Sequence, residues 1–150
     1  MTRQSVLLEW LDELIAKAPA DRRRALDLVV DRLHRSCPDY HWTGIYLVDG
    51  DQLMLGPYRG SPTEHTRISL GKGICGSAAI SGQTEIVDDV ASDSRYLACF
   101  PDTRSEIVVP IRRNGAVIGE IDIDSQKPSA FNEQDQTYLE LVAERLAELL

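Results

Sequence analysis

The chain has 150 residues, 43% of them hydrophobic and 27% charged, with a formal net charge of −8. This length buries a core without disulfide or metal staples, and the composition excludes a disordered chain. The acidic balance argues against nucleic acid and against an anionic membrane surface as partners.

Residues 4–17 carry Val6, Leu7, Trp10, Leu11, Leu14 and Ile15 at helical spacing. Pro19 separates this helix from a second, Ala20–Arg35, with Leu26, Val29, Val30 and Leu33 on one face. Its basic cluster Arg22-Arg23-Arg24 reads as a solvated helix face. Met1-Thr2-Arg3-Gln4 runs straight into the first helix, so no signal peptide is expected, and no apolar run has the length to span a bilayer. The expected compartment is the cytoplasm, where the three widely spaced cysteines, Cys37, Cys75 and Cys99, stay reduced unless they do chemistry.

The period then changes. Trp42–Val48 and Gln52–Leu55 read as strands, with the turn placed at Asp49-Gly50 and an end or bulge at Gly56-Pro57. Thr66–Leu70 reads as a short strand, followed by the Gly71-Lys72-Gly73-Ile74-Cys75-Gly76 loop and a short helix from Ser77. Gln83–Val87 is another short strand, and 88–103 a long polar loop of the kind that usually carries function. Ser105–Arg112 and Ala116–Ser125 form a hairpin around Asn114-Gly115, and Asn132 caps a last helix. Hairpin-linked strands between terminal helices predict an α+β domain over 1–150. Its antiparallel sheet is expected to have the terminal helices on one face and a loop-covered pocket on the other.

Alternation along 117–125 puts Val117, Gly119, Ile121 and Ile123 on one face and Glu120, Asp122 and Asp124 on the other. The acidic row is an ordinary solvated face, a cradle for a cationic group such as an ammonium, or a proton donor of raised pKa. Glu106 joins that face if the hairpin loop has three residues, placing Glu106 opposite Asp122. A two-residue loop strands it on the apolar face with Ile123, so the three-residue loop is the expectation.

Cys75 opens a glycine-flanked helix, where a thiolate is expected to be favoured, although a lone cysteine is more often a small core residue. Cys99 lies in the long loop, and Cys37 beside Pro38 reads as structural. There is no CxxC or HxxxH pair, so no metal and no cofactor are expected.

The order of elements, GKGICG at 71–76 and SEIVVPI…IGEIDIDS resemble the GAF domain family, and within it the free methionine-(R)-sulfoxide reductases. The resemblance covers nearly the whole chain. It implies an enzyme that reduces the free amino acid, with Cys99 as nucleophile and Cys75 as resolving thiol. It further implies Trp42 and Tyr46 along the substrate side chain, and Glu106, Asp122 and Asp124 as the polar pocket. LGPYRG at 55–60 belongs to the same pattern. Where the family carries a further cysteine this chain has His65, and the family's histidine and aspartate around the nucleophile are Tyr96 and Phe100 here. A thioredoxin-type reductant and a homodimer are the implied partners. The alternative is a GAF module that senses a small molecule or redox state without turnover.

Overall fold

The computed structural model describes residues 2–98 and 100–150. Two helices come first, α1 (Arg3–Ala16) and α2 (Arg22–Arg35). Thr2 caps α1 by accepting from the Ser5 N–H, and Asp21 caps α2 by accepting from the Arg24 N–H. The strands are β1 (Trp42–Asp49), β2 (Gln52–Arg59), β3 (Arg67–Ser69), β4 (Glu85–Val87), β5 (Ser105–Arg113) and β6 (Ala116–Ser125). A helix α3 (Gly73–Ser81) lies between β3 and β4, and α4 (Glu133–Leu146) ends the chain with a capping box between Asn132 and Asp135. Arg22, Arg23 and Arg24 are exposed, as a solvated face requires.

The strands form one antiparallel sheet in the order β3-β2-β1-β6-β5-β4. Ile45, Ile107, Val109, Ile111, Ile121 and Ile123 pack from one face against α1, α2 and α4. Trp42, Tyr46, Val87 and Val108 pack from the other face under α3 and the loops around it, with Ile74, Cys75 and Ala78. The two-sided layering expected from the sequence is therefore observed.

Three local expectations are corrected or completed. Asp49 pairs with Gln52, so the β1–β2 turn is Gly50-Asp51 and not Asp49-Gly50; Gly50 takes the positive φ of 62°. Strand β2 does not end at Gly56-Pro57. Those two residues form a bulge opposite Ile45, where a proline that donates no hydrogen bond is tolerated. The β5–β6 turn has two residues, Asn114 and Gly115, with φ of 52° and 81°, because Arg113 pairs with Ala116. The three-residue loop is thus wrong. A bulge then intervenes, since Ile111 faces Gly119 while Arg112 faces Val117, leaving Ile118 as the extra residue. That single extra residue shifts the ladder and sets Glu106 opposite Asp124 rather than Asp122.

Candidate functional site

The register lays the pocket face out in rows across four strands. Trp42, Asp124, Glu106 and Val87 form one row. Gly44, Asp122, Val108 and Glu85 form the next, and Tyr46, Glu120 and Pro110 the third. Residues two apart along a strand share a face, so all four carboxyls of β5 and β6 point the same way. The solvated reading of the acidic row fails, because Glu106 and Asp122 are 6% exposed, Asp124 3% and Glu120 0%.

Trp42 and Tyr46 hold the rim. The Trp42 Nε1–H donates to the Ser61 carbonyl at 2.9 Å, and the Tyr46 hydroxyl to the His65 carbonyl at 2.7 Å. Both tie the 60–66 segment over the sheet, which brings His65 to the edge of the site. The Trp42 ring stacks on Tyr58 with 5.7 Å between centroids and meets Phe100 at 5.8 Å. It lies above Gly44, where a Cβ would fall 2.5 Å from the ring, so only glycine leaves space there for the indole. A cavity of about 420 Å³, lined by Trp42, Ser61, Pro62, Phe100, Thr103 and Asp124, opens onto this end of the acidic cluster.

Helix α3 closes the opposite side. Cys75 sits in its first turn and is buried. The ligand atoms of Cys75, Glu106 and Asp122 lie within 4.8 Å of one another. Thr103 Oγ1 donates to Asp124 Oδ2 at 3.4 Å. If every carboxyl is ionised, Oδ1 of Asp122, Oδ1 of Asp124 and both oxygens of Glu120 accept no hydrogen bond among the described residues.

The electrostatics follow. Burial first, then the Asp122 charge, pushes the Glu106, Glu120 and Asp124 carboxyls well above the usual carboxylate range. Burial also raises Asp122, but hydrogen bonds from Glu106 and Cys75 oppose that rise. Glu106, Asp122 and Asp124 titrate as one set, and the protons they retain above the ordinary carboxylate range are shared among them. Burial, reinforced by Asp122, Glu120, Glu106 and Asp124, holds the Cys75 thiol well above its ordinary value. The expected thiolate at Cys75 is thus corrected. A helix N-terminus contributes about 0.3–1 kcal/mol, and burial beside four acids outweighs it.

The structure brings together Cys75, Trp42, Tyr46, Glu106, Asp122 and Asp124. Cys99 lies outside the described residues, and with it any distance between Cys99 and Cys75. Glu120 was visible on the acidic face of the sequence but absent from the expected pocket. Its signal was the alternation itself, carried one step further back along β6. Cys37 is half-buried near Tyr40, away from this pocket, with its thiol raised mainly by burial.

A family model for the GAF domain matches residues 19–150. The chain belongs to the GAF domain family. Its relatives there include the free methionine-R-sulfoxide reductase of Escherichia coli (strain K12), 34% identical over 118 residues that cover 79% of this chain and 71% of that protein. Among solved structures, the free methionine-R-sulfoxide reductase of Neisseria meningitidis in complex with its substrate superposes with a TM-score of 0.90 at 34% identity. That match covers 97% of this chain and 87% of the other. The type II free methionine-R-sulfoxide reductase of Thermoplasma acidophilum is 41% identical with a TM-score of 0.83, over 85% of this chain and 91% of its own. No helix among the described residues is long and apolar enough to cross a membrane.

Proposed function

We propose that this GAF protein is a free methionine-(R)-sulfoxide reductase, with Cys99 as nucleophile and Cys75 as resolving thiol. The observation that carries the reading is the buried set Glu106, Asp122 and Asp124 beneath Trp42, in a family whose members include this enzyme. A free amino acid brings one ammonium group and one sulfoxide, and the pocket has a part for each. The ionised Asp122 and its neighbours attract the ammonium. A protonated carboxyl, Glu106 foremost, supplies the proton that the sulfoxide oxygen needs as it leaves. The aromatic rims of Trp42 and Tyr46 line the apolar part of the side chain.

The chemistry balances as follows. The Cys99 thiolate attacks the sulfoxide sulfur to form an S–S bond, the oxygen takes up a proton and passes from that sulfur to the Cys99 sulfur as the S–S bond breaks, and methionine leaves with Cys99 as the sulfenic acid. The Cys75 sulfur then attacks the Cys99 sulfur, forming a disulfide and releasing water. A thioredoxin-type dithiol returns both cysteines to thiols by exchange and is itself oxidised. The raised pKa of Cys75 fits the order of these steps, because a neutral thiol beside the acids stays inert until a sulfenic acid is present. A cytoplasmic location keeps this cycle reducing, residues 1–150 act as one domain, and a homodimer is the working form.

The test is thioredoxin-coupled turnover with free L-methionine-(R)-sulfoxide, the (S) epimer and a peptide containing the sulfoxide. Turnover confined to the free (R) form supports the proposal. Equal rates with the peptide, or none with any of the three, would replace it with a non-catalytic sensor that holds a small ligand.

A further inference from the structure

Besides their place in the substrate pocket, the acids and the thiol together are a donor set. Cys75 comes from α3, Glu106 from β5 and Asp122 from β6, so no spacing in the sequence announces them. Their ligand atoms already lie within 4.8 Å of one another, and all three residues are buried. A tetrahedral zinc site with one sulfur and two carboxylate oxygens needs ligand separations of about 3.4–3.6 Å. The terminal torsion of a carboxyl is soft, and rotation of Glu106 and Asp122 supplies the remaining closure of about 1 Å.

A second observation points the same way. Asp122 is 94% hidden from solvent, and apart from the hydrogen bonds it shares with Glu106 and Cys75, the other two members of the set, its Oδ1 meets no donor among the described residues. Apart from Glu106, Oδ1 of Asp124 beside it also meets none, although Oδ2 receives Thr103. A buried carboxylate oxygen without a donor is an oxygen that a cation can take at little cost. No Lys or Arg side chain is hydrogen-bonded or ion-paired to this cluster among the described residues.

We infer that Cys75, Glu106 and Asp122 form a binding site for a thiophilic divalent cation of the zinc and cadmium class, overlapping the place where a substrate ammonium would sit. The donor set selects the metal. One sulfur favours zinc and cadmium, whereas magnesium and calcium demand shells of oxygen that three buried protein ligands, one of them a sulfur, do not provide. The fourth position is left to water, as in sites with three protein ligands. Binding removes the Cys75 proton and occupies the acids, so the metal competes with the ammonium ligand and takes the thiol out of use. The site is defined without reference to turnover.

The full chain, stripped with a chelator under reducing conditions, is titrated with cadmium while the ultraviolet thiolate-to-cadmium charge-transfer band is followed. Saturation at one equivalent is expected, with zinc displacing cadmium and magnesium failing to do so. Cys75→Ser abolishes the band, Cys37→Ser and Cys99→Ser retain it, and Glu106→Gln weakens binding at least ten-fold. Circular dichroism checks the fold of each variant, and Cys75→Ala replaces Cys75→Ser if that variant does not fold. A band that survives loss of Cys75, vanishes with Cys99→Ser, or ignores Glu106→Gln overturns the inference. The two proposals fail separately. A chain that binds cadmium this way without reducing sulfoxide keeps the metal site, and a chain that turns over without the band loses only the metal site.

Discussion

The two faces of one sheet solve opposite problems with neighbouring residues. On β6, Ile121 and Ile123 face the terminal helices in an apolar layer, while Glu120, Asp122 and Asp124 between them face α3. Both faces are equally dry. The helix face gains from burial, because each isoleucine leaves water and meets carbon. The α3 face loses by it, because each carboxyl gives up hydration and meets another carboxyl. The teaching is that the fold's stability resides on one side of the sheet and its chemistry on the other. Four buried acids are tolerated because the helix face supplies the surplus.

The contrast can be broken most sharply by kinetics. Glu106→Gln keeps the shape of the pocket and removes its proton, so turnover of free L-methionine-(R)-sulfoxide should fall about 10²–10⁴-fold, with stability little changed. An unaffected rate would move the proton donor to another carboxyl. On the helix face the same sheet should respond in the other currency: Ile121→Ala costs about 2–5 kcal/mol in urea unfolding. Glu120→Leu should have the reverse sign. Glu120 is fully buried and has only the Cys75 thiol, a weak donor, beside it among the described residues, and replacing it by an apolar residue of similar size should stabilise the chain by about 1–4 kcal/mol. Destabilisation by Glu120→Leu would show that its carboxyl is better satisfied than the structure indicates.

The smallest effect is the pH profile of the chelator-treated protein. Glu106, Glu120, Asp122 and Asp124 all titrate above their ordinary values when folded. In the window between the ordinary carboxylate range and those raised values, the folded chain binds more protons than the unfolded chain. Stability therefore declines as pH rises through that window. Unfolding free energy should be higher at about pH 5.5 than at about pH 8, and Glu120→Leu should flatten the slope. A flat profile in the parent chain would mean that the cluster is hydrated.

Much of this was legible in the sequence, and the failures have physical causes. Periodicity located the terminal helices and the six strands, and alternation along 117–125 separated the two faces correctly, but α3 begins at Gly73 within the expected loop and a short helical turn, Val90–Ser92, lies in the stretch read as loop. The hairpin loop was misjudged because a bulge at Ile118 does the work assigned to a longer turn. Glu106 reached the acidic face by a different route, and opposite a different partner, Asp124. The Cys75 thiol was misread because its helix position is visible in the sequence, whereas the carboxyls that oppose ionisation arrive from β5 and β6 through the sheet. Glu120 was passed over for a related reason: the expected pocket rested on resemblance, which named the acids nearer the end of β6. Trp42 and Tyr46 share the face of the acids, but their hydrogen bonds to Ser61 and His65 depend on how the 60–66 segment folds back.

The most direct test of chemistry on the acidic face is a single turnover with Cys75→Ser, which cannot resolve a sulfenic acid through that thiol. One equivalent of free L-methionine-(R)-sulfoxide is added, a sulfenic-acid trap follows, and the adduct is located by peptide mass spectrometry. The account predicts one equivalent of methionine released and the adduct on Cys99. Release of no methionine, or an adduct on Cys37 instead, would contradict it.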